Sequence, residues 1–234
     1  MDGVTLVLFD IDGTLLRSGG SGRGAMSQAA AELFGRPDLF DGLSFAGAVD
    51  SSIVARALAA AGLPPTPRRV GRLHRLYVRR LKTRLREHAG ELCPGTRSII
   101  ADVRPMAKVG LLTGNWLEGA RAKLDSLGLG EEFQGCVGAY GGDAFERDAL
   151  VPVAVHRARR RWGHVSKVVV IGDTPADIQC ARAGALALEK RGVQVCAVGV
   201  ETGFSSPAEL RAAGPDLQIS DFIVGREPLL SLIG

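Results

Sequence analysis

Three features of this 234-residue chain predict an α/β fold built on a doubly wound, parallel sheet. Short, nearly continuous apolar runs recur along it, as strands buried on both faces require. Amphipathic helical stripes lie between them, the order that produces parallel strands joined by right-handed crossovers. Three of the runs end in acidic or hydroxyl-bearing residues, at the strand ends where such sheets bind ligands.

The first run, Val4 to Phe9, is stopped by Asp10. The next core run, AKVGLLT at 107–113, comes far later than the dozen or so residues that a crossover needs, so a domain is inserted after the first strand. The insert reads as helices. Gly24 to Phe34 carries Ala25, Met26, Ala29, Ala30, Leu33 and Phe34 on one stripe. Asp50 is placed to cap a helix whose Ile53, Val54, Ala57, Leu58 and Ala61 face inward and whose end Gly62 marks. After Pro64, Pro65 and Pro67, a third stripe runs through Val70, Leu73, Leu76, Tyr77, Leu81 and Leu85. Cys93-Pro94-Gly95 returns the chain to the core. The insert is expected at about 17–92, leaving 1–16 and 93–234 as a Rossmann-like core.

Beyond the insert, Leu117, Ala120, Lys123-Leu124 and Leu127 step at three and four before Gly128. GCVGAY at 135–140, the helix Leu150 to Trp162, KVVVIG at 167–172, the helix Ala176 to Leu188 and VQVCAVGV at 193–200 complete the alternation.

Composition agrees with a packed domain. The chain is 46% hydrophobic and 5% aromatic, with 29 Lys+Arg against 25 Asp+Glu, which excludes disorder, collagen and coiled coil. No apolar run approaches the roughly 20 residues that span a bilayer, and Met1 is followed by Asp2 rather than by a signal core. A soluble, cytoplasmic protein with no membrane partner is expected. Cys93, Cys136, Cys180 and Cys196 form no C-x-x-C pair and no ligand pattern with the four histidines, so reduced, buried thiols are expected.

The chemistry gathers at the strand ends. Asp10, Asp12, Gly13 and Thr14 follow the first strand, Thr113, Gly114 and Asn115 the second, and Asp173 and Asp177 the run at 167–172. Singly, each could cap a turn or satisfy a strand end. Together, four acids on one rim without a paired base would repel one another, which makes a hard divalent cation with oxygen ligands, Mg2+ first, the natural occupant.

These residues also carry a resemblance. Asp10-Ile11-Asp12-Gly13-Thr14-Leu15, Leu112-Thr113-Gly114-Asn115 and Gly172-Asp173-Thr174-Pro175-Ala176-Asp177 resemble the first, second and fourth motifs of the haloacid dehalogenase-like (HAD) phosphohydrolases, and the insert resembles the cap domain of the phosphoglycolate phosphatase-like group. The resemblance implies that Asp10 is the nucleophile forming an aspartyl-phosphate. Asp12, on the same side of an extended chain, would protonate the leaving alcohol and later deprotonate water. It implies Mg2+ held by Asp10, the Asp12 carbonyl and Asp173, with Asp177 directly or through water, and phosphate bound by the turn Thr113, Gly114, Asn115. Relatives that cleave carbon–halogen or carbon–phosphorus bonds lack an acid at the Asp12 position, so a small phosphomonoester metabolite is the implied substrate.

The family's third motif, a lysine, has no counterpart in this chain. Lys167 opens a strand at the far end of the sheet, and Lys123 lies eight residues after Asn115, roughly 12 Å along a helix at about 1.5 Å per residue, so neither is expected to reach the site. Arg147 is the best-positioned cation to fill the role. Gly47-Ala48-Val49-Asp50 resembles a Gly-Arg-Thr-Asp turn of capped relatives with its arginine lost, which puts a substrate-carboxylate grip in doubt.

Other signals are discounted. Gly20-x-Gly22-x-x-Ala25 stands ten residues beyond the strand end, too far for a dinucleotide fingerprint, and serves better as a flexible entry to the insert; no P-loop motif occurs. Nine cations crowd Arg68 to Arg86, but with one aromatic, Tyr77, they read as a solvated helix face rather than a nucleic-acid platform. The alternatives to a phosphatase are a phosphomutase using the same aspartyl-phosphate and a nucleic-acid-binding protein with a vestigial site.

Overall fold

The computed structural model describes residues 3–234; the Met1-Asp2 opening lies outside them. The strands β1 (Val4–Phe9), β4 (Lys108–Leu112), β5 (Val137–Ala139), β6 (Val165–Gly172), β7 (Gln194–Val200) and β8 (Leu217–Ile219) form one parallel sheet in the order β5-β4-β1-β6-β7-β8. β1 is central, its Phe9 in register with Leu111 on one side and Ile171 on the other. The chain crosses first to β4 and later to β6, so β1 lies at the switch point, and its carboxyl end is where a ligand crevice belongs.

Alternation along β1 feeds two cores. Val7 and Phe9 pack in an apolar cluster with Ile99 and Ile100 of α4 (Thr96–Val103), Ala120 and Leu124 of α5 (Leu117–Ser126) and Leu229 of α9 (Arg226–Ile233). Leu6 and Leu8 face the other way, against Leu150 and Ala154 of α6 (Leu150–Trp162) and Ile178 and Ala181 of α7 (Pro175–Leu188). Burial of both faces explains why these strands read as unbroken apolar runs.

Between β1 and β4 the insert forms α1 (Ser21–Phe34), α2 (Asp50–Ala60) and α3 (Pro67–Glu87). It is entered and left through a two-strand antiparallel ribbon, β2 (Leu16–Arg17) with β3 (Glu91–Leu92). The three stripes read from the sequence meet in a third cluster that holds Met26, Ile53, Leu58, Leu73, Tyr77 and Leu81 together with Trp116 and Ala122 beside and within α5. Pro67 opens α3, whose first turn is capped by the Thr66 hydroxyl accepting from Arg69 N–H. The basic side of α3 is outward, with Arg80 paired to Glu32 of α1.

One expectation changes. Asp50 does not cap α2: it is the first helical residue, Val49 precedes it without a side-chain cap, and its carboxylate turns toward the sheet. The four cysteines are free as expected, with Cys136 only half-buried. No helix among the described residues is long and apolar enough to cross a membrane.

Candidate active site

The predicted residues converge beyond the carboxyl ends of β1, β4 and β6: Asp10, Asp12, Thr113, Gly114, Asn115 and Arg147 line a cavity of about 550 Å3 roofed by the insert, and Asp173 and Asp177 are buried beside Asp10. Asp10 follows β1 and donates its backbone N–H to the Ile171 carbonyl of β6 at 2.9 Å, which places its carboxylate against the adjacent strand end. Gly13 then turns with φ +85°, a conformation that favours glycine. A Cβ there would stand 2.3 Å from an Asp173 oxygen, so the glycine lets the loop close over that carboxylate.

Asp10, Asp173 and Asp177 are all buried, and each offers one carboxylate oxygen within 4.8 Å of the others. Asp173 sits at the β6 end, where Oδ1 accepts from the Thr14 hydroxyl at 3.2 Å and Oδ2 from Phe204 N–H at 2.9 Å. Asp177 is the third residue of α7, in a capping box: its Oδ2 accepts from Thr174 N–H at 3.0 Å and from the Thr174 hydroxyl at 2.7 Å. Burial, reinforced by the Asp177 and Asp12 charges, pushes the Asp10 carboxyl up to about 7 against the opposing pull of Arg147. Burial, with the charges of Asp177 and Asp10, pushes Asp173 to about 8. A buried, all-oxygen set of three acids, with burial holding back the ionisation of Asp10 and Asp173, is the donor chemistry of a hard divalent cation, and these residues fit one.

Arg147 is where the sequence reading expects a cation. It opens a short turn before α6, is 8% exposed, and places Nη2 3.2 Å from Asp10 Oδ1 and in an ion pair with Asp177. Burial opposes its charge, but Asp177 and Asp10 more than compensate and raise its pKa. Thr113, fully buried at the end of β4, accepts from Asn115 N–H at 3.3 Å and Asn115 Nδ2 at 2.9 Å, which leaves its own hydroxyl hydrogen for the cavity it lines. Gly114 lines the same cavity and is pinned on its far side by the insert, where Asp50 N–H donates to its carbonyl at 2.8 Å.

Lys123 overturns an expectation. Its side chain reaches the rim and is 4% exposed, with Nζ donating to Asp12 Oδ2 at 2.5 Å and to Asn115 Oδ1 at 2.6 Å. Counting along the helix axis ignores a four-carbon stem and a helix lying alongside the β1 loop. Asn115 Nδ2 also donates to Asp12 Oδ2, at 2.7 Å. Burial would raise the Asp12 carboxyl, but the Lys123 charge and hydrogen bonds from Lys123, Asn115 and Ser18 hold it below the usual carboxylate range. The signal was in the sequence: Lys123 occupies the inward stripe of its helix beside Leu124, and a buried lysine requires a counter-charge. Thr202 and Phe204, in the loop after β7, also escaped the sequence reading. The Thr202 hydroxyl donates to the Gly13 carbonyl at 2.6 Å, and Phe204 supplies the amide to Asp173.

Comparison with known proteins follows the same lines. A family model described as haloacid dehalogenase-like hydrolase matches residues 7–182. The chain is 28% identical over 182 residues to a phosphoglycolate phosphatase of Cereibacter sphaeroides, covering 77% of this chain and 81% of that one. Among solved structures, CbbY from Rhodobacter sphaeroides in complex with phosphate superposes with a TM-score of 0.67 at 22% identity, over 94% of this chain and 95% of that one. A hydrolase from Pseudomonas syringae gives 0.68 at 18% identity, over 98% and 99%.

Proposed function

Since the chain belongs to the haloacid dehalogenase-like hydrolases, with the family match spanning Asp10 to Asp177, we propose that it is a phosphatase that hydrolyses a small phosphomonoester metabolite through an aspartyl-phosphate on Asp10. The observation that carries this reading is the company Asp10 keeps: an acid two residues on, a strand-end hydroxyl and amide, and a buried guanidinium, all lining one cavity.

In the first half-reaction an Asp10 oxygen forms a bond to phosphorus in line with the ester oxygen. The P–O ester bond breaks, and its electron pair leaves with the alcohol, which takes the proton carried by Asp12. In the second half-reaction water attacks phosphorus and returns a proton to Asp12, and the bond to Asp10 breaks to release inorganic phosphate. Thr113 hydroxyl and the Gly114 amide hold the non-bridging oxygens, and the Arg147 fork balances charge on Asp10 and on the transferring group in place of a lysine. Mg2+, held by Asp10, the Asp12 carbonyl and Asp173 with Asp177 nearby, would supply the positive charge that lets an anionic nucleophile approach an anionic ester.

The insert, taken as 17–92, serves as the cap that excludes water, and the core as 1–16 with 93–234. Free thiols fit a cytoplasmic setting. The name of the 28%-identical relative, phosphoglycolate phosphatase, supports a small phosphorylated acid as substrate, although Ala48 stands where capped relatives carry an arginine. A phosphate-release screen over a metabolite panel, with and without Mg2+, tests the reading. Mg2+-dependent release without an isomerised product is expected, and loss of that release in Asp10→Asn with the fold intact. No release from any ester would overturn it.

A further inference from the structure

The reaction above has no task for Lys123, yet burying an ammonium to 4% exposure requires compensation. The compensation is a closed ring of side chains. Lys123 Nζ donates to Asp12 Oδ2 and to Asn115 Oδ1, Asn115 Nδ2 donates back to Asp12 Oδ2, and the same amide ties the ring to Thr113 Oγ1 at 2.9 Å. The insert closes over it: Gly22 of α1 brings no side chain, and a Cβ there would stand 3.4 Å from Nζ.

The two oxygens of Asp12 are therefore unlike. Oδ2 receives two short donors, one of them charged, whereas Oδ1 receives, among the described residues, only the Ser18 hydroxyl at 3.3 Å. An oxygen already accepting from an ammonium and an amide has no room to carry a proton, so a proton on this carboxyl group belongs on Oδ1. Rotation of the carboxylate, which would exchange the two, breaks both short bonds.

Resting on the phosphatase reading, we propose that Lys123 is a positioning residue that acts through Asp12: with Asn115 it pins Oδ2, so that Oδ1 is the atom that passes a proton to the leaving alcohol and later accepts one from water. Lys123 touches neither phosphorus nor its ligands in this scheme. Its effect scales with how much the leaving group needs a proton.

The test is a leaving-group comparison. kcat is measured for the parent and for Lys123→Met on an alkyl phosphate, whose alkoxide must be protonated, and on 4-nitrophenyl phosphate, whose phenolate leaves unaided. The alkyl-to-aryl ratio is expected to fall by at least about tenfold in the variant, within the roughly 10²–10⁴-fold range of general-acid contributions. In an Asp12→Asn background the same substitution should produce no further fall in the ratio, because the two residues act as one unit. An equal loss on both substrates, or an unchanged ratio, overturns the proposal, since a merely structural role depresses both rates alike. If circular dichroism shows Lys123→Met unfolded, Lys123→Gln is read by the same ratio. A parent that releases phosphate from neither ester overturns the phosphatase reading itself, whereas an active parent whose variants keep its ratio overturns only the role of Lys123.

Discussion

Asp50, the first residue of α2, reaches out of the insert and accepts a hydrogen bond at 2.9 Å from Trp116 N–H, the residue that caps α5 of the sheet domain. The same residue's backbone N–H holds the Gly114 carbonyl, so one position fastens the insert to the phosphate-binding turn twice. Burial pushes its carboxyl up to about 7, against the favourable pull of Lys123.

Removing that carboxylate should loosen the seam. Asp50→Ala leaves a buried amide without its acceptor, a loss of about 1–3 kcal/mol. A lower Tm is expected, with a change in Trp116 fluorescence as its surroundings open; an unchanged Tm would mean that the contact contributes nothing.

Among the described residues, Arg147 is the one cation paired with Asp10 and Asp177. Arg147→Ala should reduce kcat by about 10²–10³, the scale of losing one aligned electrostatic stabiliser. Arg147→Lys keeps the charge but not the fork and should recover much of that loss. Steady-state phosphate release by the three proteins distinguishes charge from geometry.

Metal binding should stabilise the fold in a pH-dependent way. Asp10 and Asp173 ionise near 3.8 when exposed but at about 7 and about 8 when folded. With no metal, their contribution is present at acid pH, where folded and unfolded chains are both protonated, and is lost as pH rises through those folded values. A cation replaces the protons, so the rise in Tm on adding Mg2+ should be larger at about pH 8 than at about pH 5. Thermal melts with Mg2+ and with a chelator measure the difference.

Gly114 is required for contact as well as for phosphate. A Cβ there would lie 1.9 Å from the Ala48 carbonyl oxygen, a backbone atom that cannot yield without moving the insert. Gly114→Ala should lower Tm and abolish phosphate release together, while Gly35→Ser at the exposed end of α1, strained by a φ of +65° but with nothing within 4 Å, should lower Tm and leave release unchanged.

The core was legible because its strands are buried on both faces and its helices on one. VTLVLF maps onto β1 without a residue's shift, and 193–200 maps onto β7 but for one. β8, three residues long, is too brief to produce a period, and α4 and α9 fall in stretches without a long stripe. At the site, Asp10, Asp173 and Thr113 were readable from their place after apolar runs, because strand ends dictate position. Lys123 and Asp50 were misjudged for one shared reason. Their own helices suggested roles within those helices, a distance along the axis for one and a cap for the other, whereas each is oriented by a partner more than 60 residues away.

Trp116 and Ala122 belong to the apolar cluster of the insert although they stand on the sheet side of the chain. The boundary that a chimaera designer would draw at the two-strand ribbon therefore cuts through shared packing. A transplanted lid from another protein would arrive without a seat unless the outward face of α5 were exchanged along with it, and recombination that respects only the linkers should produce hybrids that fold in their sheet half and fray above it.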